Sequence, residues 1–185
     1  TDQTVNIYSA FLQNEWKNDR WGILIGGRLD KHNMVDNVIF SPRANLRFNP
    51  TRNINLRLSY SSGFRAPQAF DEDMHIENVG GTVAMIERAK DLKEEKSQSF
   101  SASADMYHRF GAFQTNLLIE GFYTRLTDVF VLGEPYDRGD GILVKTRSNG
   151  PGAKVMGLTL EGKVAYLSIL QIQAGLTLQR SRYDE

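Results

Sequence analysis

Apolar and polar side chains alternate with period two through much of this chain. Ala44, Leu46 and Phe48 interleave with Arg43, Asn45, Arg47 and Asn49. Ile54, Leu56, Leu58 and Tyr60 interleave with Asn55, Arg57, Ser59 and Ser61. A strand turns successive side chains to opposite faces, so this pattern specifies a sheet with one dry and one wet side. The pattern resumes at Ser97, where Phe100, Ala102, Ala104 and Met106 oppose Ser99, Ser101, Ser103 and Asp105. It continues in Phe113–Thr124, in Met156–Tyr166 and in Leu170–Ser181. Upstream, Trp21, Ile23 and Ile25 oppose Gly22, Gly26, Arg28 and Asp30, with Leu24 an apolar exception on the polar face. Residues 4–16 are strand-like but blurred, which predicts a strand covered on both faces.

The connections also alternate. Short turns are predicted near residues 17–20, 49–53, 108–112 and 167–169, and longer connections near 32–39, 63–95 and 126–153. Pro50 falls in the second short turn, where its fixed φ is useful. This gives about eight long strands in four antiparallel hairpins, each near the ~9–11 residues that cross a bilayer. Within the long connections, residues 83–92 have a spacing that predicts a short helix. Val129–Leu132 and Ile142–Lys145 are expected to pair across Asp137–Gly141. The fold class is all-β and up-and-down. Short turns at one end and long loops at the other are the asymmetry of an outer-membrane barrel.

Composition narrows the function. The 185 residues carry 22 basic and 22 acidic side chains, and that balance offers no excess charge for a nucleic-acid partner. There is no cysteine, hence no disulfide scaffold. Mean hydropathy is negative, which does not exclude a membrane barrel because its strands dilute their apolar residues by half. Aromatic residues gather near the short turns (Trp16, Trp21, Phe48, Tyr107, Phe110, Phe113, Tyr166). A second group lies toward the long loops (Phe40, Tyr60, Phe64, Phe100, Tyr123, Tyr183). Two aromatic girdles are expected where rings meet lipid headgroups.

Three segments carry a family resemblance. Phe40-Ser41-Pro42-Arg43 with Asn49-Pro50 leads to Gly63-Phe64-Arg65-Ala66-Pro67. Leu92-Lys93-Glu94-Glu95-Lys96-Ser97 resembles Leu-x-Pro-Glu-Lys-Ser, with Glu94 in place of proline. Gly157-Leu158-Thr159-Leu160-Glu161-Gly162 resembles Gly-Val-Glu-Leu-Glu, with Thr159 in place of a glutamate, and follows Asn149-Gly150. In order and spacing these resemble the barrel of TonB-dependent outer-membrane receptors. The resemblance implies part of a 22-stranded barrel in the outer membrane of a Gram-negative bacterium. It further implies a plug domain, an energy-supplying TonB protein that engages regions outside this chain, and import of a ferric siderophore, haem, cobalamin or glycan. The expected partners are outer-membrane lipid and a small-molecule or metal-chelate substrate. No cofactor is implied. Thr1–Thr4 has no signal-peptide character and Asp184-Glu185 is a poor barrel terminus, so an internal piece of such a barrel is expected.

Candidate functional residues fall in two places. Phe64, Arg65, Asp71, Asp73 and His75 begin the loop after the fourth strand and are candidates for touching substrate; Asp71, Glu72, Asp73 and His75 form a cluster suited to a cation or a metal-bearing substrate, the carboxylates to Ca²⁺ and the imidazole to a softer metal. The alternatives are a solvated acidic loop and, for Arg65, an ion pair that shapes the loop exit. Arg28, Arg43, Arg47 and Arg57 lie on the polar face and would line the lumen, meeting an anionic substrate or plug carboxylates. Asp137–Gly141 matches no full calcium loop. His32, His75 and His108 lie in separate connections, and no acid, base and nucleophile set can be assembled, which argues against an enzyme. Two other readings stay open: a complete eight-stranded membrane barrel with a structural or adhesive role, and a soluble β-sandwich binding module.

Overall fold

The computed structural model describes residues 6–33, 35, 37–66, 84–89, 91–137, 139, 143–167 and 169–184. Its strands in chain order are β1 (Ile7–Lys17), β2 (Trp21–His32), β3 (Ile39–Thr51), β4 (Ile54–Arg65), β5 (Ala84–Arg88), β6 (Glu95–Phe110), β7 (Phe113–Thr127), β8 (Phe130–Leu132), β9 (Tyr136–Asp137), β10 (Leu143–Asn149), β11 (Ala153–Tyr166) and β12 (Leu170–Tyr183). The eight long strands form one sheet in the order β1-β2-β3-β4-β6-β7-β11-β12, every neighbour antiparallel. The sheet is open: β1 and β12 are its edges. This single meander departs from both a closed eight-stranded barrel and a two-layer sandwich.

The alternation survives in register. Directly paired residues share a face, so rows of side chains can be followed across the sheet. One apolar row runs Ile23, Leu46, Leu58, Ala102, Gly121, Leu158, Leu178. One polar row runs Gly22, Arg47, Arg57, Ser103, Glu120, Thr159, Thr177. Leu24 stands opposite Asn45 on the polar side, as its parity requires.

Aromatic side chains bracket the apolar face. Toward the short turns Trp21 stacks on Phe48 with centroids 4.2 Å apart, and Phe113 meets Tyr166 at 4.9 Å. Toward the long loops Tyr60, Phe100 and Tyr123 are consecutive in one row, the first two at 4.8 Å. Phe113 and Tyr123 are ten residues apart on β7, roughly 33 Å of strand, or about 23 Å of height at a 45° tilt, close to the ~25 Å apolar band of such barrels. Tyr107 and Tyr183 do not join these girdles. Their odd parity puts them on the polar face, where the Tyr107 hydroxyl donates to Asp105 Oδ2 at 3.1 Å.

Several local expectations are corrected. Residues 84–88 form a strand rather than helix, because β10 offers a parallel partner along Leu143–Arg147. Phe130–Leu132 pairs with β10 at residues 147–149, while Tyr136-Asp137 takes Leu143-Val144. Pairing continues to Phe110 and Phe113, so the third short turn shrinks to Gly111-Ala112, with Gly111 at φ +55°. Pro50 lies within β3 at a register shift between Phe48 and Thr51, where a missing donor breaks no ladder bond. β1 is exposed on both faces rather than covered, because it is an edge strand with one neighbour. Seven of the eight long strands, at 12 to 16 residues, exceed a bilayer span because pairing continues past the outer aromatic row.

Gly157 illustrates how tightly the rows pack. A Cβ there would lie 2.5 Å from the Phe122 ring and 2.8 Å from the Leu178 carbonyl oxygen. The ring can swing aside, but the ladder carbonyl cannot. Nothing lies within 4 Å of a Cβ built on Gly162. Gly157→Ala is expected to destabilise the sheet by ~1–3 kcal/mol in urea unfolding followed by tryptophan fluorescence, and Gly162→Ala by less than ~0.5 kcal/mol. Equal effects would refute this account of Gly157. With two unpaired edges and large apolar residues exposed throughout one face, the isolated chain is expected to self-associate or require detergent. Light scattering that shows a stable monomer in plain buffer would contradict this.

Candidate functional site

The polar wall is built from alternation alone. All four sequence-predicted lumenal arginines share this face: Arg28 opposite Ser41, Arg43 opposite Gly26 and Ser61, and Arg47 opposite Arg57. Like charges directly opposite oppose pairing. Local bonds hold Arg57 in place, its Nε donating to Asn55 Oδ1 at 2.7 Å while Asn55 Nδ2 donates to Asn49 Oδ1 at 2.6 Å. Arg28 pairs with buried Asp30 at 2.7 Å, and the Ser9 hydroxyl donates to the other carboxylate oxygen. Arg28 and Arg43 line one open depression of about 530 Å³ together with Phe11, Gln13, Ser41 and Ser61. Arg47 and Arg57 lie further toward the short turns.

The other half of the wall carries most of the acids, with Glu15 and Asp30 on β1 and β2 the exceptions. Asp105 accepts from Tyr107 and from Asn116, and Glu161 accepts from Gln173 at 2.9 Å and pairs with Lys163 at 3.1 Å. Glu120 lies in the Arg57 row, two strands on. Every carboxylate of the eight long strands, namely Glu15, Asp30, Glu95, Asp105, Glu120 and Glu161, has polar-face parity. The apolar face carries cations only at its long-loop end: Lys31, Lys96, Arg125, Lys154, Arg180 and Arg182.

Above the wall, the long connections are tied at a junction. Arg65 stands opposite Glu95 across β4 and β6 and pairs with it at 3.3 Å. Glu95 Oε2 also accepts the Phe130 backbone N–H at 3.0 Å, and the Arg65 guanidinium lies 5.0 Å from the Phe130 ring centroid. Arg147 reaches the same ring at 6.0 Å. Asn149 clamps three segments: its Oδ1 accepts from Lys93 N at 2.8 Å, and its Nδ2 donates to the carbonyls of Lys93 at 3.0 Å and Asp128 at 2.7 Å. This holds the small sheet of β5, β10, β8 and β9 over the long-loop end. Phe64 packs against Val35, Ile39 and Ala66. At the far edge the Lys154 ammonium, by hydrogen bond and charge, holds the Asp184 carboxyl below the usual carboxylate value.

Of the sequence candidates, Arg28 and Arg43 come together, Arg47 and Arg57 come together, and Arg65 joins the junction. Asp71, Asp73 and His75 lie outside the described residues. Among the described residues no three His, Asp or Glu side chains group to hold a metal. Glu95, Phe130 and Asn149 join the site only through the fold. Glu95 sits inside a recognisable motif and Asn149 inside a turn signal, but their joint contact depends on residues over fifty positions apart.

Loss of this junction is expected to loosen the loop sheet and leave the wall intact. Asn149→Ala, leaving the Lys93 and Asp128 backbone groups without their side-chain partner, should lower local stability by about 1–3 kcal/mol. Faster amide hydrogen exchange in 128–149, with unchanged exchange in β6 and β7, would report it. Uniformly faster exchange would instead mark a global role.

Solved structures similar in shape share this architecture. The siderophore receptor PirA from Pseudomonas aeruginosa superposes with a TM-score of 0.79 at 17% identity, over 97% of this chain and 35% of its own. The FrpB iron transporter from Neisseria meningitidis (F3-3 variant) gives 0.70 at 18%, over 97% and 26%. The outer membrane transporter YddB from Escherichia coli gives 0.73 at 15%, over 97% and 25%. The chain thus spans about a quarter to a third of these proteins, and at such identities the likeness is one of fold. No curated protein sequence matches the chain. The family model described as TonB dependent receptor-like, beta-barrel, matches residues 1–185, and the chain belongs to that family.

Proposed function

We propose that this chain is one wall of an outer-membrane receptor that imports a scarce solute with energy supplied through TonB. In this reading the polar face lines the lumen, the apolar face meets lipid, the short turns face the periplasm and the long connections face outward. The observation that carries it is the sorting of charge in the eight long strands: carboxylates only on the polar face, and cations on the apolar face only at or beyond the outer aromatic row. A charge on the lipid face costs about 2–4 kcal/mol at the midplane and little near the interface, so a lipid-facing wall is expected to look like this.

The substrate class favoured is an iron chelate, on the analogy of the siderophore receptor PirA and the iron transporter FrpB. Arg28, Arg43, Arg47 and Arg57 supply a cationic track suited to an anionic chelate. Phe64, Arg65, Asp71, Asp73 and His75 are the substrate-side candidates, with Arg65 acting through its hold on the loop junction. A transporter of this kind performs no covalent step, and the role of these side chains is capture and orientation.

The test is uptake of radiolabelled iron chelates by the native host with the parent gene intact, deleted, or intact in a strain lacking TonB. Uptake of at least one chelate should fall at least about tenfold in both altered strains. Restoring the gene with Arg43→Gln and Arg47→Gln should leave outer-membrane abundance unchanged and lower uptake severalfold. Deletion without effect on any chelate, haem, cobalamin or glycan would remove the import reading.

A further inference from the structure

We propose that the basic row at the long-loop end of the apolar face is a docking site for the phosphorylated headgroup of an outer-leaflet lipid. This rests on the reading of that face as lipid-facing. Register sets Arg125 opposite Lys154, and Lys154 opposite Arg182. Three cations therefore stand side by side on β7, β11 and β12, about 4.8 Å apart from strand to strand. Arg180, opposite Met156, shares their face two residues nearer the short turns, and Lys96 extends the group on β6.

Side-by-side cations oppose strand pairing unless an anion lies between them. The carboxylates that meet the group are Asp184, paired to Lys154, and Glu94, 3.0 Å from Lys96. Among the described residues Arg125, Arg180 and Arg182 make no ion pair, and all three are exposed. The group is local rather than a belt. At the same end of β2–β4 this face presents Phe40, Pro42, Ser62 and Phe64, and its cation there, Lys31, donates to the Val35 carbonyl.

The surroundings define the ligand. Immediately below the row lie Tyr123, Met156 and Arg180, and below these Gly121, Leu158 and Leu178 of the apolar wall. A molecule held here would have acyl chains against that wall and a multiply charged phosphate among the guanidinium groups, which bind phosphate in a bidentate manner. A soluble anion would use only the upper half of this surface.

The experiment uses the full-length receptor that carries this segment, inserted in phosphatidylcholine nanodiscs and titrated with bis-phosphorylated lipid A. Bound lipid is counted by native mass spectrometry. Wild type should retain one lipid, and retain the enzymatically dephosphorylated form at least tenfold more weakly. Inorganic phosphate at millimolar concentration should not displace it. Arg125→Gln with Arg182→Gln should weaken retention about thirtyfold, whereas Lys17→Gln with Arg109→Gln, an equal loss of charge at the other end, should leave it unchanged.

Equal retention of the dephosphorylated lipid, displacement by inorganic phosphate, or an inert Arg125/Arg182 pair each overturns the assignment. Should the double variant fail to insert, the wild-type dephosphorylation comparison still decides. A receptor that forms no bilayer-inserted barrel overturns this site and the import reading together. An inserted barrel indifferent to lipid phosphate overturns this site alone.

Discussion

A strand facing hydrocarbon can place its backbone N–H and C=O groups only on the strands beside it. The antiparallel ladder from β1 to β12 meets that demand for the strands between its two edges, and the other features of the chain follow from it. Within each of the four hairpins a turn of two or three residues brings the next strand alongside at little entropic cost. Once that order is set, the period of two divides every side chain between two environments. The only freedom left is at the ends, where the ladder meets water and irregular backbone is tolerated.

The division governs the electrostatics. Carboxylates are confined to the wet face, where they accept from Asn116, Gln173, Tyr107 and Ser9 or pair with Arg28 and Lys163. Long cationic side chains stand on the apolar face only where their ends can reach water or headgroups. Arginines on β2–β4 and acids on β6–β11 give the wet wall two electrostatic halves. That asymmetry follows from which strands carry which charges and from a register that keeps those strands adjacent.

The loops obey different rules. The connection after β4 and the one between β7 and β11 are far apart in sequence, yet β5 joins β10 in parallel. Asn149, Glu95 and Phe130 hold that arrangement through backbone groups and one aromatic ring. Arg65 and Glu95 meet because β4 and β6 are neighbours that end at the same height. The recognisable sequence motifs at these positions thus mark a structural junction, whose physical content is an ion pair that also caps the start of β8.

Alternation in the sequence was sufficient for the strand type, the two faces, the shared side of Arg28, Arg43, Arg47 and Arg57, and most of the aromatic rows, because side-chain direction in a strand depends only on parity. It misplaced Tyr107 and Tyr183, where proximity to a strand end suggested a girdle and parity ruled otherwise. It read helix at 84–88, because local spacing cannot register a partner strand nearly sixty residues away. Proline chemistry alone points to a turn at Pro50, because a bulge depends on the partner strand as much as on the proline. What tertiary structure alone decided was register. Pairing β7 with β11 and β11 with β12 is what sets Arg125, Lys154 and Arg182 in one row, and pairing β4 with β6 is what joins Arg65 to Glu95. The sequence by itself determined which side of the sheet each residue occupies; the hydrogen-bond ladder determined which residues stand beside it.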